Sequence, residues 1–295
     1  MKFLLTIVSS IGLLVISSSH SCAQENKNKA LQQIVDTKTS SHLSKLIDAQ
    51  TWNALFPNRN NIQGKDSNHP DFYSYQAFLK AASHFHGFLN EGTTEDQKRE
   101  LAAFLANIAQ ETSGGWDAAP GGYFKWGLYF IEENNKGNGN NYSDVSKVNY
   151  PPVEGQNYYG RGPKQLSWNY NYGQFSEAWF GDKNILLKNP ALLAQDNVLS
   201  FASAIWFWMT PQYPKPSCHD VMIGKWTPTE KDKEGGRAPG FGATVNIING
   251  GIECGQQNTQ PKTKYRYEYY QYFCKYFKVN AGENISCSSQ KPFGT

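Results

Sequence analysis

Two glutamate-bearing segments hold the residues whose types and spacing fit a shared reaction. Between Thr94 and Glu111, Leu101, Phe104, Leu105 and Ile108 fall at i, i+3, i+4 and i+7, one apolar stripe of a helix. Glu111 follows three residues after Ile108, stays on that stripe, and precedes the Gly114-Gly115-Trp116 stop. A carboxyl on a buried apolar face is costly to ionise, so its pKa is expected to rise, and a carboxylic acid still protonated near neutral pH can serve as a general acid. The second segment ends in Glu132-Glu133, followed by Asn134 and Asn135, a turn-like polar setting in which a carboxylate stays ionised. Two carboxyls of opposite proton occupancy suit hydrolysis of a glycosidic bond: one protonates the leaving oxygen, the other activates water from the opposite face.

Those glutamates need elements to hold them. Thr94 reads as the cap of the first helix, with Gln97 completing a capping box, and Gly114-Gly115 ends it. Tyr73 to Phe88 reads as a helix with Tyr75, Phe78, Leu79, Ala82 and Phe85 on one side. Asn189 to Met209 reads as a buried helix, interrupted at Asp196-Asn197, with Trp206 and Trp208 in the core; Tyr265 to Phe277 reads as a final aromatic helix. Residues 58–70 and 134–157 are turn-rich loops, and Tyr158 to Ser167 reads as strand or turn. There are no internal repeats.

Composition bounds the remainder. Residues 1–23 carry one charge, Lys2, an apolar run and the small-residue site Ser21-Cys22-Ala23, which reads as a signal peptide; Ser19, where an acylated Cys22 would call for Leu, disfavours a lipoprotein. Residues 24–41 read as a flexible polar leader and 42–295 as the catalytic domain. Removing Lys2 from the 28 basic residues leaves 27 against 25 acidic ones, a net charge of +2, too near neutral for a nucleic-acid partner. Aromatic residues make up 14%, which suits a ligand of uncharged sugar rings. Scattered histidines and no Cys-x-x-Cys speak against a metal, and no cofactor is expected. Cys218, Cys254, Cys274 and Cys287 remain after leader removal, and at least one disulfide is expected. Asn141 and Asn284 are glycosylation acceptors in a eukaryotic host.

The chain resembles glycoside hydrolase family 19, the plant-type chitinases. The resemblance rests on Phe104-Leu-Ala with Glu111-Thr-Ser-Gly-Gly-Trp116, on Tyr158-Tyr-Gly-Arg-Gly-Pro-Lys-Gln-Leu-Ser-Trp-Asn-Tyr-Asn-Tyr-Gly173, on Ala204 to Pro211, on Pro239-Gly-Phe-Gly242, and on Asn246-Ile-Ile-Asn-Gly-Gly-Ile-Glu-Cys254, in that order from about His42 to Phe293. It implies a mainly α, two-lobed, lysozyme-like fold with a central cleft and a small β element. It implies a secreted endochitinase that cleaves β-1,4-linked N-acetylglucosamine polymers with inversion, the carboxyls roughly 6.5 to 9.5 Å apart. Glu111 matches the general acid, Glu133 (not Glu132) the general base, and Ser167 the hydroxyl that helps hold the attacking water. Gln165, Tyr170, Asn171, Lys215 and Asn249 match substrate contacts; Tyr123 and Trp116 are expected to face the substrate as well. Glu253 and Arg266 match a charge network beside the acid, and Cys254 and Cys287 a family disulfide, leaving Cys274 a free buried thiol and Cys218 unassigned. Gln110 stands where plant members commonly have His, and Tyr129 where many have Cys. Chitin or chitooligosaccharides are the implied partner, and a monomer, extracellular or periplasmic and off the membrane after leader removal, is expected. The rivals are a peptidoglycan-lytic glycosidase on the same fold and a non-catalytic chitin-binding protein.

Overall fold

The central element is α4 (Thr94–Glu111), and the rest of the fold is arranged around it. The computed structural model describes residues 42–61, 71–255 and 261–294; the signal peptide expected over 1–23, the polar leader expected over 24–41 and most of the loop expected over 58–70 lie outside the described residues. Before α4 come α1 (residues 42–46), α2 (Ala49–Leu55) and α3 (Tyr75–Ala82). After it come α5 (Asn169–Phe180), α6 (Asn184–Lys188), α7 (Asn197–Met209), α8 (Cys218–Met222), α9 (Glu230–Glu234), α10 (Phe241–Glu253) and α11 (Pro261–Phe277).

The capping box of α4 sits one residue earlier than expected. Thr93 Oγ1 accepts from the Asp96 amide at 3.2 Å, and Asp96 Oδ2 accepts from the Thr93 amide at 3.0 Å. Both Thr93–Asp96 and Thr94–Gln97 have the required spacing; the Asp register wins because a carboxylate accepts more strongly than an amide and suits the positive end of the helix dipole. From Leu101 to Ala109 the helix is buried on nearly every side, and four alanines (102, 103, 106 and 109) let neighbouring elements approach closely. It packs mainly against α11, and also against α8 and α10. Aromatic rings fill the space between α2, α3, α4 and α7: Trp52 stacks on Phe78 with centroids 4.9 Å apart, and Phe78 lies 6.3 Å from Phe104.

The helix expected over 73–88 is shorter. Ser74 caps it, and after Ala82 the hydrogen bonds tighten to three-residue turns, His84 to Ala81 and Phe85 to Ala82, while Ser83 Oγ donates to the Lys80 carbonyl. The pattern over 189–209 likewise divides into a short 3₁₀ turn (Pro190–Ala194) and α7. The break falls at Asp196, as expected, and there Asp196 caps α7: its Oδ1 accepts from the Leu199 amide at 2.9 Å. Trp206 and Trp208 are core, as expected. The last helix starts at Pro261, four residues before the aromatic pattern, with proline at its first position. The small β element reduces, among the described residues, to isolated bridges: Glu132 with Arg161, Arg161 with Leu166, and Gln212 with Lys215. Residues 134–157 form the expected loop of turns.

Candidate active site

Glu111 is the last residue of α4, and the chain that follows is clipped to the helix end by Thr112. That side chain is fully buried: its hydroxyl donates to the Ile108 carbonyl at 2.6 Å and accepts from the Leu128 amide at 2.9 Å, while its carbonyl accepts from the amides of Tyr129 and Phe130. Gly127 lets this returning segment touch α4. A Cβ there would lie 2.8 Å from Ala109 Cβ. The segment running from Tyr123 to Glu133 is thus fixed against the helix that carries Glu111.

The second glutamate is fixed by a different neighbour. The Glu133 amide donates to the Gly160 carbonyl at 2.9 Å, and the Gly162 amide to the Ile131 carbonyl at 2.8 Å. Glu132 and Glu133 then part. Glu132 Oε1 accepts from Arg161 Nε at 3.2 Å and from Tyr159 at 3.0 Å. Glu133 Oε1 accepts from Tyr142 at 3.2 Å, and its Oε2 from the Gly160 amide at 3.3 Å. Neither Glu133 partner carries charge. Burial, and then the Glu133 carboxylate, hold the Tyr142 hydroxyl above its usual pKa, so it stays a donor.

Glu111 and Glu133 line one cavity of about 860 Å³, together with Gln110, Trp116, Tyr123, Gln165, Asn249, Glu253 and Arg266. The apolar wall expected beside Glu111 is absent. Glu111 Oε1 accepts from Arg266 Nη2 at 2.8 Å and faces Lys164 Nζ at 3.9 Å. The stripe ends one turn too early to enclose it, because α11 brings a guanidinium to the helix terminus. Arg266 is buried and shared: it donates to Glu253 Oε2 at 3.0 Å and Oε1 at 2.6 Å, and to Asn107 Oδ1 at 3.0 Å. Burial would push the Glu253 carboxyl up, but the Arg266 charge outweighs it and holds the group below the usual range. Burial acts against the Arg266 charge as well, and Glu253 and then Glu111 hold it protonated. The expected charge network is therefore present.

The other expected residues divide between places. Tyr123 faces the cavity, stacks on Tyr265 at 3.9 Å between centroids, and donates to Gln110 Oε1 at 3.0 Å. Trp116, 50% exposed, lies 5.2 Å from Trp126. Asn249 sits at a break in α10 (φ −146°) and donates to Glu253 Oε1 at 2.9 Å. Tyr170 instead lines a separate hollow of about 520 Å³ with Tyr150, Gln212 and Tyr213. Ser167, Asn171 and Lys215 line neither hollow: Ser167 Oγ donates to the Gln165 carbonyl, Asn171 Nδ2 to the Ser167 carbonyl, and Lys215 Nζ to the Ile247 carbonyl at 2.8 Å. The expected bridge Cys254–Cys287 is formed; Cys218 and Cys274 are buried free thiols, and burial pushes Cys274 up to about 11. Among the described residues no group of His, Cys, Asp and Glu could hold a metal.

The sequence profile of chitinase class I, glycoside hydrolase family 19, matches residues 46–287. The chain belongs to that family. It is 48% identical over 255 residues to endochitinase A2 of Pisum sativum, covering 86% of this chain and 75% of the relative, and 46% identical over 252 residues to an endochitinase of Carica papaya, covering 85% and 100%. The class IV chitinase of Zea mays, 33% identical, superposes with a TM-score of 0.60 over 82% of this chain and 98% of its own. Chitinase C of Streptomyces griseus, 32% identical, does so with 0.63 over 82% and 80%. The fold of this family 19 glycoside hydrolase is accordingly the mainly α, lysozyme-like one. Sequence reasoning on this chitinase-family chain missed Thr112, Tyr142, Asn107 and Lys164 as site-building residues. Only Lys164 left a signal, a cation inside the Gly-rich aromatic stretch 158–167.

Proposed function

We propose that this glycoside hydrolase is a secreted endochitinase that cleaves β-1,4-linked N-acetylglucosamine chains with inversion. The observation that carries the reading is that Glu111 and Glu133 face one cavity from different elements with unlike partners, two cations for one and two uncharged donors for the other. Glu111 delivers a proton to the glycosidic oxygen, and the cations at its Oε1 stabilise the carboxylate that is left. Glu133, held in place by hydrogen bonds from Tyr142 and the Gly160 amide, draws a proton from water as that water attacks the anomeric carbon. Trp116, Tyr123, Gln165 and Asn249, which line the cavity, offer ring faces and amides to the sugars.

Similarity alone does not carry activity, since a chain 46% identical to this one bears the name inactive chitinase-like protein 1. The paired carboxylates do. Replacing the proton donor in Glu111→Gln should lower kcat by about 10²- to 10⁴-fold with the melting temperature little changed. Fresh products of a soluble chitin oligomer should be α-anomers; β-anomers would overturn the inverting assignment. Clearing of a bacterial wall suspension without release of chitooligosaccharides would favour the peptidoglycan reading, and binding without turnover the non-catalytic one. Secretion is supported by the apolar segment before Ala23 and by the disulfide, which suits an oxidising compartment. Sequencing the mature N-terminus tests it: a chain starting at Gln24 is expected, and retention of Met1 would overturn it.

A further inference from the structure

Lys164 is a lysine with one partner. It is 9% exposed, and its Nζ lies 4.7 Å over the Phe207 ring. No hydrogen bond from Nζ is formed among the described residues, and its one anionic neighbour within 4 Å is Glu111 Oε1 at 3.9 Å. Arg266 differs. Its charge is spent mainly on Glu253, to which it gives two bonds, with one each to Asn107 and Glu111. The pair Arg266–Glu253 is close to neutral, so Lys164 is the uncompensated cation at the acid. We infer that Lys164 is a positioning residue for the proposed proton transfer: it anchors Glu111 Oε1, leaves Oε2 for the substrate, and strengthens the acid by receiving the carboxylate formed when the proton leaves. This rests on Glu111 being the proton donor.

The groups that face Lys164 decide its charge. Burial pulls it below the usual lysine range; Glu111 from α4 opposes that, Arg266 from α11 adds to it, and the Cys218 thiol of α8 and Glu253 of α10 lie within electrostatic reach. Lys215, in the segment before α8, is pulled down by its own burial and then by the Lys164 charge, so like charges crowd the site. The nearest counter-charge open to the ammonium is therefore the Glu111 carboxyl once its proton has left. Loss of the Glu111 proton to the leaving oxygen is the step that turns a poorly paired cation into a paired one.

The test is the pH dependence of kcat on a soluble chitin oligomer for Lys164→Met and Lys164→Arg. Met keeps the unbranched stem and its contact with Phe207 but removes the charge. Lys164→Met should lower kcat about tenfold at the optimum with KM within about twofold, and move the basic limb upward by about one pH unit, since a carboxylic acid without the cation holds its proton longer. Lys164→Arg should restore both. A merely structural role would lower the melting temperature and leave the limb in place, and an unmoved limb in a folded Lys164→Met enzyme overturns the inference. Should Lys164→Met not fold, Lys164→Gln is read the same way. A fully active Glu111→Gln would instead sink the acid assignment itself, whereas an inactive Glu111→Gln beside an unaltered Lys164→Met would sink the role of Lys164 alone.

Discussion

At the scale of single residues, the site separates two carboxyls by what each one touches. Glu132 and Glu133 are adjacent in sequence, but the pleat sends one to Arg161 and Tyr159 and the other to Tyr142 and the Gly160 amide. Glu132 is thereby committed to an ion pair, whereas Glu133 meets only uncharged donors. Removing the Tyr142 hydroxyl in Tyr142→Phe should lower kcat by about tenfold, a net bond to a charged group being worth about 1.5 to 3 kcal/mol, with KM little affected. Unchanged kcat would show that the Gly160 amide alone holds Glu133. Arg266 is argued the same way: its planar fork serves Glu253 and Glu111 together, and lysine cannot reproduce it. Arg266→Lys should cost activity and stability together, because Glu253 is buried and left short of donors.

At the scale of elements, a helix end and a returning segment share one clip. Thr112→Val keeps the shape and deletes the acceptor of the buried Leu128 amide, so it should lower stability by about 1 to 3 kcal/mol. Chemical denaturation reads this directly; a change of less than about 0.5 kcal/mol would mean that another acceptor replaces the hydroxyl. Gly127→Ala is a second probe. The added methyl meets Ala109 Cβ at 2.8 Å and pushes the 123–133 segment off α4, so overpacking of about 1 to 3 kcal/mol should be accompanied by a loss of kcat. If stability falls while kcat holds, the segment's seating does not position Glu133.

At the scale of the whole molecule, two distant linkages hold the site's supports together. The Cys254–Cys287 bridge ties the end of α10, next to Glu253, to the C-terminal segment 33 residues on. In the chain-entropy account such a loop contributes about 3 to 4 kcal/mol, and the double replacement by serine should show a loss of that order. The second linkage is His219 of α8, whose Nδ1 lies 2.7 Å from Oε1 of the fully buried Glu100 on α4. Burial would lower the His219 pKa, but Glu100, Glu91 and Asp220 together raise it above the ordinary 6.5. Burial raises Glu100 too, against the bonds from His219, Trp208 and the Leu89 amide. A group whose pKa is raised on folding contributes stability that is full below the unfolded value and fades as pH climbs through the folded one. The melting-temperature gap between wild type and His219→Gln should therefore be largest below about pH 6.5 and narrow in alkali. A gap that stays constant from acid to alkali would sink this account.

What the sequence determined by itself was local. The 3.6-residue stripe gave α4 and put Glu111 at its end, the apolar runs gave the tryptophan core of α7, and polar turns marked the 134–157 loop. The family motifs named Arg266 and Glu253. Register at the caps was less legible, since Thr93 and Thr94 offer the same spacing and only partner chemistry separates them. Only the tertiary structure decided what surrounds the acid. A stripe records which face is inward but not what another helix brings to it, and here α11 brings Arg266 across 155 residues of chain while the 158–167 segment brings Lys164. Contacts between segments so far apart leave no periodic mark, so the expected apolar wall was replaced by charge once the helices packed.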